Sequence, residues 1–152
     1  MSRVLEIAAS HVGYVEGKNN DTIFGKWYRL NFQPWCAMAA SKIFFDAGAI
    51  KSVSGKSKGY ASCDEWLKYL TKNNQIVPIG KAQPEDLVFF QFDSDKEPEH
   101  VGILKSHNKT LKYMWVYEGN TSSGAKGSQA NGDGFYLKKR NYGLIMAVAR
   151  PK

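Results

Sequence analysis

Residues 84–92 read Pro-Glu-Asp-Leu-Val-Phe-Phe-Gln-Phe, PEDLVFFQF. A turn-forming proline gives way to a short β-branched and aromatic run, which predicts a strand. The same signature recurs downstream in HVGIL (100–104), LKYMWVYE (111–118), GFYLKK (134–139) and LIMAVAR (144–150). Turn-forming clusters, SHNKT (106–110) and NGDG (131–134), separate them. Before Gly80 the period is helical. Val4, Leu5, Ala8, Ala9 and Val12 share one helical face, with Gly13 as the stop. Residues 17–33 read as a polar and aromatic loop. A second helix should begin near Trp35 or Cys36, with Ala37, Ala40, Phe44 and Phe45 as its apolar positions and Gly48 closing it. After a Ser/Gly/Lys loop (52–62), Ser62 and Glu65 have the spacing of a capping box, followed by Trp66, Tyr69 and Leu70 on one face. Helices first and a mostly antiparallel sheet of five to six strands second make an α+β domain spanning 1–152.

The chain has 152 residues, 43% hydrophobic and 23% charged, the profile of one ordinary globular domain. No stretch approaches the ~20 apolar residues of a membrane span, and the N-terminus makes a poor secretory signal. Net charge is +7, with +1 in residues 1–50 and +6 in the remainder. This predicts attraction to a polyanion. The basic residues are scattered, with no nucleic-acid-binding motif, so nucleic acid is not the expected partner. Two cysteines, Cys36 and Cys63, are too few for a disulfide framework. They fit a reducing compartment, or one reactive thiol and a bystander.

The chemistry centres on QPWCAMAAS, residues 33–41. Pro34 disfavours helix before it, and the alanines after Cys36 propagate one. A cysteine in the first helical turn meets free N–H groups and the positive end of the helix dipole, which favour thiolate. A thiolate nucleophile needs a proton donor for its leaving amine, and histidine serves near neutral pH. Of the three histidines, His100 opens a strand, where packing can fix its rotamer. His11 falls in the first helix and His107 in a turn, both with bland readings. Glu118 and Asn120, in YEGN, are two apart on an extended segment, so either could orient the imidazole. Glu118 would share a face with Met114 and Val116.

Together PWCAMAAS, PEDLVFFQF, HVGIL and YEGN resemble the CHAP family of cysteine amidohydrolases and peptidases, the papain-like catalytic domain of many phage endolysins. The resemblance covers roughly residues 5–149. It implies a papain-like fold and cleavage of amide bonds in bacterial peptidoglycan by an amidase or endopeptidase. It implies Cys36 as nucleophile, His100 as base, and Glu118 with Asn120 as the orienting pair. By the same analogy Gln33 would add an oxyanion donor. The protein would be a monomer without a cofactor, made in the host cytoplasm without a signal peptide and acting on the wall after release. Anionic wall polymers such as teichoic acids would suit its charge, with that charge or a further domain supplying wall attraction. Many members carry an acidic calcium loop before the cysteine. Here residues 16–36 offer only Glu16 and Asp21, so no metal site is expected.

Blander readings stand beside these. Cys63 reads as structural. Trp27, Tyr28 and Trp35 could wall a substrate cleft through their large contact area, or pack in the core. Asp93, Asp95, Glu97 and Glu99 alternate like metal ligands but lack the glycine of an EF-hand loop, so a solvated acidic loop is expected, one able to raise the pKa of His100. The lysine-rich segments and KKR (138–140) read as solvated surface. Other function classes are a wall-remodelling peptidase or amidase, a cysteine enzyme acting on proteins, and a non-catalytic basic wall-binding module.

Overall fold

The computed structural model describes residues 2–124, 127–129 and 131–152. Four α-helices precede the sheet: α1 (Arg3–Ser10), α2 (Ile23–Tyr28), α3 (Cys36–Asp46) and α4 (Cys63–Lys72). The strands are β1 (Ile76–Val77), β2 (Leu87–Phe90), β3 (His100–Asn108), β4 (Tyr113–Thr121), β5 (Gly134–Asn141) and β6 (Ile145–Ala149). They form one six-stranded sheet in the order β1-β6-β2-β3-β4-β5, antiparallel at every pair. The chain is thus α+β, with its helices segregated from an antiparallel sheet. No helix among the described residues is long and apolar enough to cross a membrane.

The run at residues 87–90 is continuously apolar because both of its faces are covered. Leu87 and Phe89 join the helices in one core, with Phe24, Trp35, Ala39, Phe44, Trp66 and Val101. Val88 and Phe90 face the other side, with Leu104, Met114, Val116 and Val148. Helix α3 is buried nearly all round. Such a helix must sit centrally, and its first residue is thereby held at the sheet.

Several local expectations need correction. Residues 17–33 contain a helix, α2, where a loop was expected. Thr22 Oγ1 accepts from the Gly25 N–H at 2.8 Å, and Arg29 ends the helix in the left-handed conformation (φ 67°). Six residues are too few for a periodic signal. Helix α1 stops at Ser10, so Val12 lies beyond it and is 46% exposed. His107 and Asn108 extend β3 rather than forming a turn, and His107 is held by Tyr142 and the Ala82 carbonyl. His11 packs edge-on against Phe24 and Phe135.

One glycine fixes the spacing between α3 and the sheet. A Cβ at Gly119 would lie 2.7 Å from Trp35 Cζ3 and 3.0 Å from Ala39 Cβ, both in a packed core. Gly119→Ala is expected to destabilise the fold by about 1–3 kcal/mol through overpacking, seen as a lower midpoint in thermal unfolding.

Candidate active site

Cys36 is the first residue of α3. Ser2, Thr22 and Ser62 cap α1, α2 and α4 with side-chain oxygens, whereas α3 has no side-chain cap. Trp35, in the capping position, cannot supply one. The first-turn N–H groups of α3 therefore remain available to a negative charge on or near the Cys36 sulfur.

His100 begins β3 opposite Phe90 and is fully buried. Its Nε2 lies 2.8 Å from Glu118 Oε1. Among the described residues its Nδ1 has no hydrogen-bond partner at ordinary distance, while Cys36 acts on the ring through its charge. Glu118, also fully buried, is clamped from the other side by Arg140. Arg140 Nη2 donates to Oε1 at 2.6 Å and Nε to Oε2 at 2.9 Å, a bidentate pair. The guanidinium stacks on Phe90 and Phe92 at 5.4 and 5.2 Å, and Nη1 donates to Gln129 Oε1.

The charges support one another. Burial alone would raise the Glu118 pKa, but hydrogen bonds from Arg140 and His100 overcome it and hold the carboxyl below its ordinary range. Burial likewise opposes charge on His100. The Cys36 thiolate and Glu118 carboxylate outweigh it and lift the imidazole to about 9. The Cys36 thiol falls well below its ordinary value, first through the Cys63 hydrogen bond, and despite burial. His100 and the Val101 backbone add to that shift. Both shifts run toward charge, thiolate on Cys36 and imidazolium on His100.

Two contributors escaped sequence reading. Arg140 belongs to KKR, which looked like solvated surface. In β5, Lys138 and Arg140 point inward while Lys139 points out. The period of two was visible in the sequence, but nothing there indicated a buried carboxylate to receive the charge. Cys63 looked inert, yet its sulfur is 3.6 Å from that of Cys36. It starts α4, and its own thiol is raised well above the ordinary value by the neighbouring Cys36 and by burial.

The other candidates separate. Asn120 is fully buried on β4 but is not a hydrogen-bond partner of His100. Its backbone is left-handed (φ 57°) beside an irregularity in the β4–β5 pairing, so the alternating-face rule that coupled it to Glu118 fails there. Trp35 is not a cleft wall. It is fully buried, stacked on Phe24 at 5.3 Å, with Nε1 donating to Glu16. Trp27 packs on Phe45 under the Lys42 and Lys58 ammonium groups. Tyr28, the third of these aromatics, joins Leu30, Gln33, Pro34, Ala61, Ser62 and Glu65 around a cleft of about 450 Å³. Gln33 and Pro34 lie two to three residues before Cys36, and Ala61 and Ser62 immediately precede Cys63. A larger hollow, about 720 Å³, lies between residues 16–20 on one side and Ser122, Ser123, Gly127, Ser128, Asn131, Gly132 and Asp133 on the other. Neither hollow is lined by Cys36 or His100; the smaller is the candidate approach because residues close in sequence to both cysteines border it.

Glu16 and Asp21 serve structural bonds, to Trp35 and to Asn31 with Lys26. The Asp93, Asp95 and Glu99 carboxylates converge within 4.8 Å. Each also accepts backbone N–H bonds from its own loop. The raised pKa of His100 comes from Cys36 and Glu118 rather than from these acids.

Comparison with known proteins adds no identity. No family model matches the chain, and no curated protein does.

Proposed function

We propose that the protein is a cysteine-dependent hydrolase of amide bonds in bacterial peptidoglycan, with a papain-like CHAP fold and the role of a phage endolysin. The observation that carries this reading is the convergence of a helix-start cysteine, Cys36, with a buried His100 oriented by Glu118. The thiolate attacks an amide carbonyl, and the uncapped first turn of α3 stabilises the oxyanion. The His100 imidazolium protonates the leaving amine, and the thioester remains on Cys36. Neutral His100 then takes a proton from water, whose hydroxide releases the acyl group and restores the thiolate. Glu118 fixes the tautomer and ring position throughout, and Gln33, on the rim of the cleft, contacts the substrate. The wall substrate is supported by the four CHAP-like motifs and by the positive charge, which suits an anionic wall.

The test is digestion of purified Gram-positive walls, with mass spectrometry of the released fragments. New muramoyl and L-alanine ends would identify an amidase, and new ends within or between stem peptides an endopeptidase. Cleavage of casein but not of walls would overturn the substrate assignment.

The pH dependence has a fixed sign. Activity needs the thiolate, so it falls as pH drops through the depressed Cys36 pKa. It also needs the imidazolium, so it falls as pH rises through about 9, where His100 loses its proton. The expected profile is a bell whose alkaline limb lies well above that of an ordinary histidine, measurable as initial clearing rate against pH.

A further inference from the structure

Hydrolysis needs one sulfur, and the site contains two. Cys36 and Cys63 are both free, both at the first position of an α-helix, with sulfurs 3.6 Å apart. That separation is close to van der Waals contact. Each sulfur is anchored by a helix on a packed core, Cys36 through α3 and Cys63 through the Trp66 and Leu70 face of α4. The fold therefore holds the two helix starts side by side. Cys36 is 5% exposed and Cys63 is half-buried. Gln33, Pro34, Ala61 and Ser62, which precede the two cysteines, border an open cleft. The residual exposure of Cys36 is what a reagent as small as a hydroperoxide would use.

A low-pKa thiolate is the form that peroxides oxidise, and a sulfenic acid without a neighbouring thiol proceeds to irreversible acids. We propose that Cys63 is a resolving thiol for Cys36, so that a hydroperoxide converts the pair into a reversible disulfide instead of destroying the nucleophile. The Cys36 thiolate attacks the distal peroxide oxygen. The O–O bond breaks, Cys36 becomes the sulfenic acid, and the alkoxide or hydroxide leaves with a proton. The Cys63 sulfur then attacks the Cys36 sulfur. The S–S bond forms, the S–O bond breaks, and hydroxide departs as water with the Cys63 proton. Two equivalents of a thiol reductant return both cysteines and leave one reductant disulfide. Closing the bond removes the nucleophile and the anionic partner of His100 together, so the oxidised protein is inactive.

The inference rests on Cys36 being a reactive thiolate, as in the proposed function, but not on the wall substrate. The experiment therefore reads mass and thiol content. Wild type, Cys63→Ser and Cys63→Ala are treated with hydrogen peroxide, then with dithiothreitol, and followed by intact mass, peptide mapping and thiol labelling. Circular dichroism confirms that each variant is folded, and the alanine variant stands in if the serine variant is not. Wild type should lose two hydrogens, map a Cys36–Cys63 link within one chain, and recover both labelled thiols on reduction. The Cys63 variants should instead gain two or three oxygens at Cys36 that dithiothreitol does not remove. Irreversible oxygen addition in wild type, identical behaviour with and without Cys63, disulfide-joined dimers, or no reaction would each overturn the proposal. Failure to clear walls alongside the expected disulfide would sink only the substrate assignment. Clearing without the disulfide would sink only the resolving role.

Discussion

Cys36→Ser is expected to leave a folded protein whose wall-clearing activity is down by about four orders of magnitude or more. The loss is this large because the surroundings are set for a thiolate. The uncapped turn of α3, the Cys63 thiol and the His100 imidazolium all favour a negative sulfur. A serine hydroxyl at the same position keeps its proton under the same influences. It is also smaller and loses contact with Cys63. His100→Ala should cost a comparable factor, and the double variant little more than either single one, since the two groups act as a unit. Clearing rates of the three variants, each checked for a native unfolding midpoint, measure this. A Cys36→Ser variant with near-normal activity would end the nucleophile assignment.

Arg140→Met is expected to reduce both stability and activity, through Glu118. The carboxylate is fully buried, and Arg140 supplies two of its hydrogen bonds. Removing one partner of such a pair leaves an uncompensated charge and costs about 3–5 kcal/mol. The methionine stem can still pack on Phe90 and Phe92, so most of the loss is electrostatic. Glu118 then holds its proton to higher pH. A protonated Glu118 no longer supports the imidazolium, so the acid limb of the activity bell moves upward. Arg140→Met with Glu118→Gln should regain much of the stability, because no buried carboxylate is left without its guanidinium, yet stay impaired in activity. Thermal unfolding and the pH–rate profile separate the two effects. A solvated surface arginine, as KKR first suggests, would shift neither.

The sequence by itself determined that helices come first and most of the sheet second, though not α2 or β1, because the helical period before Gly80 and the short apolar runs after it are local properties. It determined that Cys36 starts a helix, since Pro34 and the alanines after Cys36 set that boundary within a few residues. It pointed to His100 and Glu118 through their places on strands, with Glu118 on the face of Met114 and Val116. What surrounds those residues was decided by tertiary structure. Arg140 meets Glu118 only because β5 pairs with β4, and Cys63 meets Cys36 only because α3 and α4 bring their first residues together. Neither contact leaves a local trace, as the partners are 22 and 27 positions apart. Trp35 and Asn120 show the converse. Trp35 adjoins Cys36 in sequence, yet its ring turns into the core against Phe24 and Gly119. Asn120 is two residues from Glu118, yet a left-handed backbone breaks the alternation that would have aimed both at His100. Chain proximity fixes where a backbone passes. The direction of each side chain, and the charge it meets, depend on packing between elements far apart in sequence.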